Sequence, residues 1–350
     1  MENRTIRIGV IGAGTNTTKL HIPGFQAIDG VEVTSVVNRS RESSQRVADK
    51  FSIPKVYDSW NEAVTDPNID AICVGTWPYL HHPIVLASLE NGKHVMTEAR
   101  MAMDAAQAYE MLEASLANPG LVTQVVPAPF TIAAEQTLKD LISDGYLGDL
   151  LSVDMVVDWG FVDTSFLYTW RNDRDLSGYN IMLLGAVYEC LMRLVGHVSN
   201  VSALTKINVP LRAADSGEMH YTTIPDLVEV IGELPSGATY HIRFSTVTGL
   251  KPPHHIWLFG SEGTLKLDFE IFDQNAATIY GGRKGDSDLS MINIPQAKRG
   301  VWRVESEFID AIRGNGTITH TPFTDGVRYM EFIEAVSRSA QEQRSISLPL

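Results

Sequence analysis

The chain has 350 residues, 44% of them hydrophobic and 20% charged, a length that suits two domains and a composition that excludes extended disorder. Its formal net charge is −14, and so acidic a chain repels phosphate backbones, which argues against a nucleic-acid partner. Cys73 and Cys190 are the two cysteines, both in apolar runs without C-x-x-C spacing, so neither a disulfide framework nor a structural zinc site is expected.

In chain order, the opening MENRTIRIGV has no long apolar leader, and no later run reaches the roughly 18–20 apolar residues of a membrane span. A cytoplasmic protein without a membrane partner is the expectation. Short β-branched runs at Ile6–Ile11, Val31–Asn38, Ala71–Gly75, His94–Thr97 and Val122–Val126 alternate with segments of helical apolar spacing. Continuous apolar strands separated by helices predict a doubly wound parallel sheet covered on both faces. The prolines of VPAPF mark a boundary, which gives a first domain over 1–126 and a second over 127–350. A helix is predicted near Ala133–Asp144, stopped by Gly145. From about Leu150 the texture changes to strands at Leu151–Trp159, Asn200–Asn208, Leu227–Glu233, Ala238–Ser245, His255–Phe259 and Thr264–Phe269. PSG at 235–237 and SEG at 261–263 read as hairpin connections, so the second domain should be α+β with a large, open, mostly antiparallel sheet.

The stretch IRIGVIGAGTNTTKLH places Gly12 and Gly14 between a strand and a helix, where backbone amides turn toward a pyrophosphate. Gly12 permits the tight turn and Gly14 a close approach of phosphate. Thr17 stands at the third glycine position of G-x-G-x-x-G, which mainly sets helix–strand packing, and its hydroxyl is free to donate to phosphate. The amides at Thr15, Asn16 and Thr17 complete the phosphate turn. At the end of the second strand, where an acid would take the ribose 2′-hydroxyl, the chain has Asn38-Arg39-Ser40. A neutral amide, a guanidinium and a hydroxyl do not repel a 2′-phosphate, and Arg39 can pair with one, so NAD or NADP is the expected cofactor.

The order of motifs resembles the Gfo/Idh/MocA family over essentially the whole chain. The glycine turn, DPNIDAICVGTW, LHHPIVLASLENGKHVMTE, LISDGYLGDL, WRND before Gly178, EFIDAIRGN and PFTDGVRYMEFIEAVSRSA fall in family order, and ENGKHVMTE is the most specific of them. The resemblance implies a Rossmann domain followed by an open sheet domain whose exposed face pairs subunits, giving a homodimer or homotetramer. It also implies a last helix, 325–341, packed back toward the first domain, and a carbohydrate-like small molecule bound between the domains against the nicotinamide. Thr76, Trp77, His81 and Glu98 are then further cofactor positions.

The sequence departs from the family where proton transfer is expected. E-K-P reads Glu98-Ala99-Arg100, without the lysine, and the later D-x-G-x-H-x-x-D pattern reads LLGAVYEC, with Leu183, Val187 and Cys190 at the acid, histidine and acid positions. The arginine common before F-x-P is Pro129. Arg100 is adjacent to the missing lysine and suits a developing alkoxide. Tyr188 and Glu189 directly follow Val187 and are the nearest groups able to act as acid or base, so Tyr188, Glu189 and Arg100 are the catalytic candidates. Trp170, Arg171, Tyr179 and Asn180 offer aromatic faces and hydrogen-bonding groups suited to a sugar ring. The adjacent pair His81-His82 does not project to one helix face, and His254-His255 after two prolines reads as loop and strand entry, so no metal site is expected. Three functions fit: an NAD(P)-dependent oxidoreductase of a sugar, polyol or relative; a redox-neutral sugar enzyme working by transient oxidation; and a dinucleotide sensor without catalysis.

Overall fold

The computed structural model describes residues 4–271, 273 and 275–350. The chain divides into two compact units, one of Met1–Pro127 with Arg303–Val327, the other of Ala128–Trp302 with Arg328–Leu350.

The first unit carries strands β1 (Ile6–Ile11), β2 (Val31–Val37), β3 (Lys55–Val56), β4 (Ala71–Val74), β5 (His94–Thr97) and β6 (Thr123–Val125). They pair in the order β3-β2-β1-β4-β5-β6, every pair parallel. A five-residue π-helical turn, Thr17–His21, leads into α1 (Ile22–Gln26); α2 (Arg41–Phe51), α3 (Trp60–Thr65), α4 (Pro78–Glu90) and α5 (Ala105–Ala117) connect the later strands. All four residues of β4 are buried, as expected of a central strand covered on both faces. The chain order reverses between β1 and β4, and the crevice at the carboxyl ends of those strands is where such sheets bind ligands.

The second unit holds β7 (Leu150–Asp158), β8 (Asn200–Lys206), β9 (Leu211–Ala213), β10 (Met219–Tyr221), β11 (Leu227–Glu233), β12 (Thr239–Ser245), β13 (His254–Gly260), β14 (Gly263–Phe269), β15 (Ala277–Arg283), β16 (Ser290–Ile292) and β17 (Ile346–Ser347). Nine of these form one mixed sheet, β16-β15-β14-β13-β7-β12-β11-β8-β17, with β9 and β10 in a separate hairpin. Within the large sheet β7 and β12 run parallel and the other pairs antiparallel. Strict alternation turns Val153, Met155, Val157, Val228, Val230 and Ile242 into the core. The opposite face carries Leu204, Ile231 and Phe259, which remain exposed. Helices α6 (Ile132–Ser143), α7 (Arg174–Ser177) and α8 (Leu184–Val195) belong to this unit. Ten of the twelve α8 residues are buried, and a helix apolar around nearly its whole circumference is a core helix.

The last two helices are α9 (Val304–Ile312) and α10 (Phe323–Glu342). The segment 303–327 belongs to the first unit, where the Val125 amide donates to Thr321 O at 3.0 Å and Gln124 donates to Glu307 at 3.0 Å. The first of these bonds covers part of the free edge of β6.

Candidate active site

At the carboxyl ends of β1, β2 and β4 a cleft of about 540 Å³ is lined by Gly12, Gly14, Asn38, Arg39, Ser40, Thr76 and Trp77, together with Ser43, Arg46, Asp58, Trp60 and Tyr79. Gly12 has φ +87°, and a β-carbon there would lie 2.6 Å from Thr76 N, so the turn admits no other residue. A β-carbon at Gly14 would meet only Gly75 O, at 3.7 Å. A side chain there is compatible with the protein and would take up open space beside the cleft. The Thr76 hydroxyl, at the same rim, is buried without a hydrogen-bond partner. A backbone cradle kept bare by glycine and an unpaired buried hydroxyl are what a bound dinucleotide phosphate or ribose would satisfy. The residues present therefore fit the cofactor.

One assignment within this turn changes, and a second residue has local partners. Thr17 is buried, and its hydroxyl donates to Gly12 O at 3.2 Å. It faces the sheet, not a phosphate, because the π-helical turn rotates it inward against Gly75. Asn38 is engaged locally: its Oδ1 accepts from the Ala13 amide at 2.6 Å and its Nδ2 donates to Ser43 O at 3.2 Å. It shapes the glycine turn while lining the cleft. Thr15 and Asn16 are exposed at the start of the turn. Arg39 is exposed with its Cζ 5.9 Å from the Trp77 ring. Ser40 caps α2 by accepting from the Ser43 amide at 3.2 Å. The acid on the cleft wall, Asp58, is paired with Arg41 at 2.6 Å.

His81 is fully buried on α4, with Nδ1 2.9 Å from Arg100 O and Nε2 3.0 Å from Thr76 O. Its ring is thus not a surface the cofactor can touch; it ties the loop after β4 to the loop after β5. Burial pushes its pKa down, against the opposing pull of the two carbonyls. Arg100, proposed from sequence as an available cation, is itself only 3% exposed, and the Ala99–Arg100 peptide is cis. Glu98, at the end of β5, is buried. Its Oε1 lies 3.0 Å from His21 Nε2, and His21 Nδ1 lies 2.5 Å from Glu305 Oε1. Neither His21 nor Glu305 was singled out from sequence. Some 284 positions separate them, and no local spacing links them.

The remaining candidates lie in the second unit. Tyr188 is fully buried, stacked on Phe332 with ring centroids 3.7 Å apart, and its hydroxyl accepts from the Val198 amide at 3.0 Å. Burial pushes its pKa far up. Glu189 is buried as well, accepting from the Ala128 amide at 2.9 Å and paired with Arg193. Arg193 in turn donates to Glu135 at 2.8 Å and to Ala128 O at 2.9 Å. The expectation that these two residues move protons on a substrate is corrected: α8 buries both faces, so adjacency to Val187 in sequence brings neither side chain to an open surface. Trp170 and Arg171 share a short 3₁₀ turn, with the guanidinium 4.3 Å from the indole. Tyr179 is half-buried under Arg174, at 5.2 Å, and Asn180 is buried with its amide donating to Ser177 O at 2.6 Å.

Residues 6–124 match the profile of the oxidoreductase family with an NAD-binding Rossmann fold, and residues 136–266 match the GFO/IDH/MocA C-terminal domain. Among curated proteins, trans-1,2-dihydrobenzene-1,2-diol dehydrogenase of Xenopus tropicalis is 30% identical over 277 residues, 78% of this chain and 78% of that protein. The mouse (Mus musculus) protein of the same name is 26% identical over 284 residues, 80% and 79% of the two chains. Among solved structures, levoglucosan dehydrogenase in complex with NADH and levoglucosan superposes with a TM-score of 0.84 at 19% identity, over 99% of this chain and 100% of that one. The bare glycine cradle and these matches agree: the chain belongs to the Gfo/Idh/MocA family of NAD-binding oxidoreductases.

Proposed function

We propose that the chain oxidises a vicinal diol, polyol or sugar, or reduces the corresponding carbonyl, and that it accepts NADP at least as well as NAD. The observation that carries the reading is the cleft at the ends of β1, β2 and β4, with Gly14 open toward it and the Thr76 hydroxyl unpaired at its rim. Bound nicotinamide supplies a hydride acceptor or donor. Gly12, Gly14 and Thr76 bind its dinucleotide, and Arg39 and Ser40 meet the adenosine ribose.

The substrate class rests on the relatives, named as acting on a dihydrodiol or crystallised with levoglucosan, and on the aromatic and guanidinium surface of Trp170, Arg171 and Tyr179. Acid–base work belongs to a group other than Tyr188 or Glu189, since both are committed to the core. The deciding experiment offers cyclic diols, polyols, sugars and anhydrosugars with each cofactor, following NAD(P)H absorbance and product together. Net formation or consumption of NAD(P)H supports the reading. Product without it sinks the reading and favours a redox-neutral reaction. The exposed sheet face bearing Leu204, Ile231 and Phe259 is the surface through which copies of the chain would pair, which light scattering at micromolar concentration reads directly.

A further inference from the structure

His21 lies at the end of the π-helical turn with none of its surface exposed. Both ring nitrogens face carboxylate oxygens, Glu305 Oε1 at 2.5 Å and Glu98 Oε1 at 3.0 Å. An ionised carboxylate can only accept, and a neutral imidazole has one N–H to give. Two such partners are satisfied together only by the doubly protonated ring. Burial opposes that charge, but the hydrogen bonds and charges of Glu305 and Glu98 outweigh it and push the pKa of His21 up to about 9. Glu98 responds in kind: burial would raise it, yet His21, the nearby His81 and the Asn16 side chain hold it below the usual carboxylate range.

The three residues come from three places. His21 ends the glycine turn, Glu98 closes β5 at the start of the Glu98-Ala99-Arg100 segment, and Glu305 stands on α9, returned to the first unit from far along the chain. Room for Glu305 is made by Gly24, where a β-carbon would lie 2.8 Å from Glu305 Cγ. The second oxygen of Glu98 accepts from its neighbour's amide, Ala99 N, at 3.2 Å. Other titratable groups facing this cluster include Cys73 of β4, whose thiol burial keeps protonated, and His81 of α4.

We propose that His21, charged and buried between Glu98 and Glu305, is a positioning residue that locks the loop after β5 to the glycine turn in the shape that binds dinucleotide. From within the fold His21 places a cation against the Glu98 carboxylate. It touches neither substrate nor cofactor and acts through Glu98 and the turn that includes Asn16.

The test uses the full-length protein and NADH itself. In wild type, NADH affinity read by fluorescence titration should hold steady from pH 7 to about 8.5 and fall as pH passes His21's pKa of about 9. His21→Gln, with native far-ultraviolet circular dichroism, should bind NADH at least tenfold more weakly at pH 7.5, with the alkaline decline gone. A folded His21→Gln with wild-type affinity, or with the decline intact, overturns the proposal. If that variant does not fold, Glu305→Gln keeps the ring but removes one of the two charges that hold its proton, so the decline should begin at lower pH. An unmoved decline overturns the proposal. Independently of cofactor, the histidine ring resonance displaced by Glu305→Gln should report imidazolium at pH 8 in the free wild-type protein, and a neutral ring there overturns it. Should wild type fail to bind NADH at any pH, the cofactor reading falls, and the ring titration still decides the charge of His21.

Discussion

The Thr17 hydroxyl occupies the space in front of Gly75: a β-carbon on Gly75 would lie 2.1 Å from Thr17 Oγ1 and 2.2 Å from Gly12 O. The close helix–strand approach usually allowed by a third glycine in the turn is here allowed by a glycine at the end of the neighbouring strand. Gly75→Ala should therefore destabilise the protein by about 3 kcal/mol, because the clash includes backbone that has no room to move. Urea denaturation measures it, and an unchanged midpoint would refute the arrangement.

Gly12 and Gly14 should separate stability from binding. Gly12→Ala meets Thr76 backbone at 2.6 Å with a positive φ, so it should lower the melting temperature sharply. Gly14→Val has open space to enter, so the fold should survive while NAD(P)H affinity drops more than tenfold. Equal melting losses for the two variants would contradict the open cradle at Gly14.

Arg39 is exposed beside Trp77, and in the proposed reading it pairs with a 2′-phosphate. Arg39→Ala should weaken NADP about tenfold or more and NAD by no more than about twofold, since only the former loses a charge-assisted pair. Parallel titrations with the two cofactors check this, and equal losses remove Arg39 from cofactor selection.

Tyr188→Phe should cost about 1–3 kcal/mol in stability by leaving the buried Val198 amide without its acceptor. Glu189→Gln weakens the buried pair with Arg193 and should also destabilise. With the cofactor-linked reaction established on any substrate, both variants should keep turnover within about twofold at a temperature where they are folded. A loss of 10²-fold or more in turnover, with stability unchanged, would restore them as acid–base residues.

Stability should fall at alkaline pH for a reason traceable to His21. Its pKa is raised in the folded state from 6.5 to about 9. The stabilisation from its charge is thus complete below about pH 6.5 and is lost as pH rises through about 9. Glu98 acts in the opposite sense: its pKa is depressed by folding, so its contribution is lost on acidification. Melting temperatures across pH 5–10 should decline above pH 8 in wild type and less steeply in His21→Gln.

The doubly wound sheet was legible in the sequence because apolar runs and helical spacing are local properties of a chain. Ile6–Ile11 and His94–Thr97 begin and end where the periodicity places them, and the glycine turn between strand and helix announces the cleft. The short edge strands β3, β16 and β17 and the hairpin β9-β10 carry no comparable pattern, and pairing alone defines them. The matches of both domains to one family were likewise legible as motif order.

Direction was not legible. Asn38, Thr17 and His81 were chosen for their places in a motif, but only the fold turns Asn38 onto Ala13 N, Thr17 onto Gly75 and His81 between two carbonyls. Tyr188 and Glu189 are one residue from Val187, and a helix step of 100° decides nothing about exposure when α8 is buried on every side. The His21–Glu98–Glu305 cluster lies furthest from sequence reading. A buried charge is tolerated only where the chain brings opposite charges to it, and that encounter across 284 positions exists only once α9 has folded back onto the first unit.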